Sequence, residues 1–241
     1  MNKYNIENIN YIDVGEGKKI LFLHGWGSSL NIFKDIINYL KPDYRCLAID
    51  LPNFGESKNS SESLMVKDYA TILNEFLMIH NFKPDLIIGH SFGGKVAIEY
   101  TINYGYDGKL LLCAPSIVKP TRHINYYLKK GIYKVSKKFN IFNDYIKNKV
   151  TSSDYKNASD LLRPTLIDAC SRYYDNELKE LDNKCFIYWG NEDKTTPVEQ
   201  GKRINKYIKD SSLLVIEGGH FAFVDNKYNF INTIDDFMED K

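Results

Sequence analysis

The sequence predicts an α/β protein: a mostly parallel, twisted sheet with helices on both faces and an inserted helical cap. Three observations predict it. Short, wholly apolar runs recur along the chain, and longer stretches with apolar residues at helical spacing separate them. Strands that are apolar throughout are those of a parallel sheet buried on both faces. Finally, the residues suited to chemistry stand just after those runs, where sites gather in such sheets.

The elements follow in order. Ile9 to Val14 alternates like an antiparallel edge strand. Ile20-Leu21-Phe22-Leu23 is a continuous apolar run ending at His24-Gly25, and Ile32, Phe33, Ile36, Ile37 and Leu40 then fall at helical spacing. Cys46-Leu47-Ala48-Ile49 is a second run, closed by Asp50, and residues 64–80 read as a helix with Ile72, Leu73, Phe76 and Leu77 on one stripe. Leu86-Ile87-Ile88, ending at Gly89, precedes a helical pattern over 92–104, and Leu110-Leu111-Leu112-Cys113 is the fourth run. Cys185 to Trp189 and Leu213 to Ile216 are strands flanking a helix over about 197–209. The alternation lapses over 117–162, where Ile124, Tyr127, Leu128, Ile132, Val135, Phe139, Phe142 and Ile146 recur at helical spacing. This stretch is expected to be a cap inserted into a core made of 1–116 and 163–241.

Composition sets limits. A chain of 241 residues can bury a sizeable single core. Hydrophobic residues make up 43% and charged residues 26%, ordinary for a globular protein, and a net charge of +1 gives no global field to draw nucleic acid or an acidic membrane. The four cysteines, Cys46, Cys113, Cys170 and Cys185, have no C-x-x-C spacing, so neither a disulfide framework nor a zinc site is expected. Three of them lie in apolar runs, as small buried thiols do, which fits a reducing, cytoplasmic setting. Met1 to Asn8 holds no apolar segment of the secretory kind, and no run approaches the roughly 18 apolar residues of a membrane span.

The strongest motif is Gly89-His90-Ser91-Phe92-Gly93-Gly94, a G-x-S-x-G between an apolar strand and a helical pattern. Such a sharp strand-to-helix turn exposes the serine hydroxyl, and glycines two positions either side remove clashes with closely approaching backbone. A serine needs a base to take its proton. His220, on the Gly218-Gly219-His220 loop after the last apolar run, is the best placed; His24, His80, His90 and His123 are weaker, with the His90 side chain expected to turn away from the nucleophile. The base needs a carboxylate to fix its tautomer. Asp193, after the Trp189 strand end, is the candidate and adjacent Glu192 the fallback. The chain order Ser91…Asp193…His220 suits an acyl-transfer triad on this kind of sheet. Oxyanion donors are expected from the backbone N–H of Phe92 and, on the His24-Gly25-Trp26-Gly27 loop, from that of Trp26.

Taken together, His24 to Gly27, Asp50 to Ser57, Gly89 to Gly94, Gly190 to Asp193 with Thr196-Pro197, and Gly219-His220-Phe221 resemble the α/β-hydrolase superfamily, in family order and over most of the chain outside the cap. The His-Gly-Trp loop resembles that of small carboxylesterases such as the pimeloyl-acyl-carrier-protein methyl ester esterases. The resemblance implies the α/β-hydrolase fold, an acyl-serine mechanism and a structural role for the Asp50–Ser57 loop. It implies hydrolysis of a carboxylic ester or thioester of a small molecule, with no metal or organic cofactor.

Other chemistries keep the same triad: a C–C bond hydrolase acting on a diketone-like substrate, or a cofactor-free perhydrolase. A non-catalytic small-ligand receptor on this scaffold would keep it too. Serine at position 91 argues against the aspartate-nucleophile enzymes of the fold. The cap carries Lys119, Arg122, Lys129, Lys130, Lys134, Lys137, Lys138, Lys147 and Lys149 against Asp144 alone. A solvated helical face is the plainer account of that charge; steering of an anionic substrate or acyl carrier is the sharper one. Oligomeric state is not legible.

Overall fold

In a computed structural model, residues 6–57, 61–120 and 153–240 are described. The apolar runs form strands of one seven-stranded sheet, in the order β1-β3-β2-β4-β5-β6-β7. Strand β1 (Tyr11–Val14) pairs antiparallel with β3 (Tyr44–Ile49), as its alternation predicts. The rest are parallel: β2 (Lys18–Leu23) between β3 and β4 (Leu86–His90), then β5 (Lys109–Cys113), β6 (Cys185–Gly190) and β7 (Ser211–Ile216).

Because successive strand side chains point to opposite faces, each apolar run feeds two cores. Leu21, Leu23, Leu47, Ile87, Leu110, Leu112, Ile187 and Trp189 pack on one face with helices α2 (Val66–Ile79) and α3 (Phe92–Tyr104). Ile20, Phe22, Cys46, Ala48, Ile88, Leu111 and Tyr188 pack on the other with α1 (Lys34–Leu40) and with a C-terminal helix. The stripes expected on the helices are the buried ones: Ile36, Ile37 and Leu40 on α1, and Ile72, Leu73, Phe76 and Leu77 on α2. The expected helix over 197–209 is Val198–Tyr207.

Helix α4 (Ser153–Asn157) falls within the stretch expected to be cap, α5 (Leu162–Ser171) begins at its end, and α6 (Val198–Tyr207) follows. Beyond the last strand come α7 (Ala222–Asp225) and α8 (Lys227–Glu239). Helix α8 lies outside the expectations above, although Phe230, Ile231, Ile234, Phe237 and Met238 have helical spacing and are buried. The cap's expected helical residues, Ile124 to Ile146, fall outside the described residues, as does most of its basic series.

The chain reverses direction across the sheet between β2 and β4, and in open α/β sheets such a switch point opens a crevice at the strands' carboxyl ends. With apolar side chains on both faces, alternation alone does not fix register there. Close backbone packing does: a Cβ on Gly93 would lie 2.1 Å from the Leu23 carbonyl oxygen, so only glycine lets α3 start against the end of β2. Among the described residues no helix is long and apolar enough to cross a membrane.

Candidate active site

Ser91 caps the N-terminus of α3 with φ 51° and ψ −108°, a conformation L residues rarely adopt. The turn is held from both sides, because Ser91 N–H donates to Cys113 O at 2.9 Å and Lys95 N–H to Ser91 O at 3.2 Å. Glycine at 89 is equally required, since a Cβ there would sit 2.6 Å from Gly94 Cα.

The candidate acid and base, Asp193 and His220, come from neighbouring loops. Gly190 pairs with Ile216 at the ends of β6 and β7. A Cβ on Gly190 would fall 2.3 Å from the carbonyl oxygens of both Gly218 and Gly219, so the two loops touch backbone to backbone. His220 Nδ1 stands 2.7 Å from Asp193 Oδ2. A carboxylate only accepts, so Nδ1 carries the proton and Nε2 keeps its lone pair. Asp193, whose side chain has no exposed surface, accepts further hydrogen bonds at Oδ1 from Thr195 N–H (2.8 Å) and Thr196 N–H (2.9 Å), and at Oδ2 from the Thr196 hydroxyl (2.8 Å). Burial acts to raise its pKa, but the donors from His220 and Thr196 outweigh it and hold the carboxyl below its usual range. Glu192, the fallback, is exposed, with its N–H on Gly218 O.

The oxyanion candidates belong to adjacent strand ends, because Leu23 pairs with Gly89. A Cβ on Gly25 would come 3.3 Å from Ser91 Cβ. Among the described residues no protein acceptor takes the N–H of Trp26 or of Phe92. The Trp26 ring is seated edge-on against Phe54 (5.0 Å) and Phe92 (5.6 Å), and Phe92 in turn against Tyr69 (5.2 Å), which anchors the loop.

His24 is buried and structural. Leu51 N–H donates to its Nε2 at 2.9 Å, so its proton lies on Nδ1 and goes to Gly25 O at 2.8 Å; burial lowers its pKa. Asp50 ties the flanking loop together, accepting from Leu30 N–H, Asn10 Nδ2 and Glu56 N–H at 2.7–2.8 Å, which suits the structural role the resemblance implies. Cys46, Cys113 and Cys185 are free and buried, and Cys170 is free and exposed.

Asp193 and His220 are thus in direct contact. Ser91 Oγ makes no hydrogen bond to His220 among the described residues; nucleophile–base bonds are often long before substrate is bound. Three polar residues around the site escape sequence reasoning. Thr196 adds a hydroxyl 3.2 Å from His220 Nδ1. Lys95 and Glu99, spaced like a surface ion pair on α3, are buried instead. Lys95 Nζ donates to the carbonyls of Ala169 and Arg172 at the C-terminal end of α5. Glu99 accepts from Arg172 Nη1 at 3.1 Å and from the Tyr174 hydroxyl. Nothing local in the sequence gives this away, since the partners are some seventy positions distant in the chain.

Comparison with known proteins agrees with this architecture. The family model for the alpha/beta hydrolase fold matches residues 18–120. The hydrolase YugF of Bacillus subtilis is 25% identical over 229 residues, covering 84% of this chain and 83% of its own. The 2-hydroxy-6-oxo-6-(2'-aminophenyl)hexa-2,4-dienoic acid hydrolase of Metapseudomonas resinovorans is 22% identical, covering 95% and 86%. An esterase from Exiguobacterium antarcticum superposes with a TM-score of 0.77 at 21% identity, covering 96% of each chain. The fold is that of the α/β-hydrolases, and residues 18–120 match the model of that family.

Proposed function

We propose that this chain is a serine hydrolase that cleaves carboxylic esters through an acyl-Ser91 intermediate. The observation that carries the reading is the 2.7 Å contact of His220 Nδ1 with a fully buried Asp193 carboxylate, beside a serine held at φ 51° on a strand-to-helix turn. With its proton fixed on Nδ1, His220 offers Nε2 as the base. It takes the Ser91 proton as Oγ attacks the carbonyl carbon, and the N–H groups of Trp26 and Phe92 receive the oxyanion. His220 then protonates the departing alcohol. Water, deprotonated by the same nitrogen, releases the acid and restores Ser91. Asp193 stabilises the imidazolium that forms twice in the cycle without itself being protonated.

The cap assigned to 117–162 is the part of the chain proposed to shape the substrate. At its start, Ile117 O accepts from Tyr174 N–H at 2.9 Å, and the neighbouring Ser116 N–H lies on Ser91 O. Reversing the charge of Lys134, Lys137 and Lys138 tests whether the basic stretch steers an anionic or carrier-bound acyl group. Steering predicts lower kcat/KM on an acidic ester at low salt.

A p-nitrophenyl ester series of increasing acyl length, run beside a vinylogous diketone, tests the reading. Sustained ester turnover abolished by Ser91→Ala is expected. Turnover of the diketone alone would make the chain a C–C bond hydrolase. Ligand-dependent melting without turnover would make it a receptor.

A further inference from the structure

His90, the last residue of β4 and the neighbour of Ser91, has no part in the mechanism above. Its side chain does not simply turn away. It is buried, and Nε2 lies 3.0 Å from the backbone carbonyl oxygen of His220. Only an N–H can bind a carbonyl, so the proton is on Nε2 and the neutral ring has its lone pair on Nδ1. The ring centroid is 4.7 Å from that of His220 and 4.9 Å from that of Phe221. Its opposite edge abuts the oxyanion loop: a Cβ on Gly25 would fall 2.8 Å from Nδ1, which has no hydrogen-bond partner among the described residues. One ring is therefore joined covalently to the nucleophile, hydrogen-bonded to the base's own backbone and packed on the loop that carries Trp26.

We propose that His90 is a positioning residue that holds His220 in register with Ser91 through the hydrogen bond to the residue 220 carbonyl. This rests on the triad reading above. The geometry calls for a neutral donor. A lysine or arginine here would place a buried cation against the imidazolium that His220 becomes during the reaction. Burial, with the neighbouring His220, pushes the His90 pKa down to about 3, so its ring stays neutral throughout the working pH range.

Three variants separate the donor from the ring. His90→Gln keeps a neutral N–H at similar reach, His90→Met keeps length without a donor, and His90→Phe keeps a ring without a donor. A misplacement of order 1 Å costs about 10²-fold in rate, so Met and Phe are expected to lower kcat by roughly 10- to 100-fold with little change in KM, while Gln restores most of it. In the same proteins, the NMR signals of the His220 imidazole should move for Met and stay for Gln. A folded His90→Met variant with wild-type kcat, or Gln as impaired as Met, would overturn the proposal. Should Met and Phe fail to fold, nitrogen-15 correlation of wild-type histidines decides: an Nε2–H tautomer at His90, slow to exchange, is expected, and an Nδ1–H tautomer overturns the assignment. If wild type cleaves no ester and takes up no fluorophosphonate, the triad reading fails, while the NMR comparison still decides whether His90 grips His220.

Discussion

Replacing Gly93 by alanine tests the closest backbone approach to any glycine among the described residues. The added Cβ would lie 2.1 Å from Leu23 O, 2.5 Å from Leu23 C and 2.6 Å from His24 O. Carbon contacts settle at about 3.5–4.0 Å, so α3 must retreat from β2 by roughly 1 Å. All three obstacles are backbone, and no rotamer change relieves them. Overpacking of this kind costs about 1–3 kcal/mol, and rigid neighbours put Gly93→Ala at the upper end, about 3 kcal/mol. At roughly 2–4 °C per kcal/mol for a domain of this size, the melting temperature should fall by about 6–12 °C. The same retreat parts the N–H groups of Trp26 and Phe92, so kcat should drop by about 10²-fold. Gly219→Ala is the internal control. Nothing lies within 4 Å of its Cβ and its φ is not positive, so its cost should stay within about 0.5 kcal/mol. Circular-dichroism melting and ester kinetics on both variants decide. A Gly93→Ala protein melting within about 2 °C of wild type, or a Gly219→Ala protein equally damaged, would refute the packing argument.

Further outcomes follow from the site and its supports. Asp193→Asn should lower kcat by roughly 10³- to 10⁴-fold, because an amide can donate to His220 Nδ1 and favour the wrong tautomer; steady-state kinetics with KM near wild type checks it. The depressed Asp193 pKa also means that its stabilising contribution is complete at neutral pH and is lost only as the pH falls below the ordinary carboxylate value of about 3.9, so acid titration should narrow the stability gap to Asp193→Asn. Burial lowers the Lys95 pKa to about 8, so between there and about 10.4 the unfolded chain binds the extra proton, and stability relative to Lys95→Met should rise with pH across that window; the neutral amine still has donors for both carbonyls, and a pH-independent difference in urea unfolding would count against this. Arg172→Ala leaves Glu99 buried without its guanidinium and should cost about 2–3 kcal/mol in urea unfolding, at or below the low end for a broken buried pair because Arg172 is partly exposed.

The sheet was legible because parallel strands buried on both faces write themselves as uninterrupted apolar runs, and Ile20 to Leu23, Leu86 to Ile88 and Leu110 to Cys113 do so. Ser91, Asp193 and His220 stand out as candidates because glycine must stand wherever two backbones touch, at Gly89, Gly93 and Gly190, and those glycines bracket the proposed site. Helix α8 carried a readable stripe in Phe230, Ile231, Ile234, Phe237 and Met238, but no motif drew attention to it. The Lys95 and Glu99 contacts were not legible at all. Their spacing is that of a solvated ion pair, and only the approach of residues 169–174, set by tertiary packing, turns them inward. The partner of His90 was not legible for a related reason: a side chain turned away from its neighbour on a strand end takes whatever acceptor tertiary packing brings, here the carbonyl of the His220 loop.

The central claim is that Ser91 is activated by His220. Reaction of the native protein with a fluorophosphonate, followed by mass-spectrometric mapping, tests it most directly. The account predicts a single phosphonylated residue, Ser91, with labelling slowed at least a hundredfold, on the order expected for a lost general base, in His220→Ala. Rapid labelling of Ser91 that is indifferent to His220, or an adduct at another residue, would contradict it.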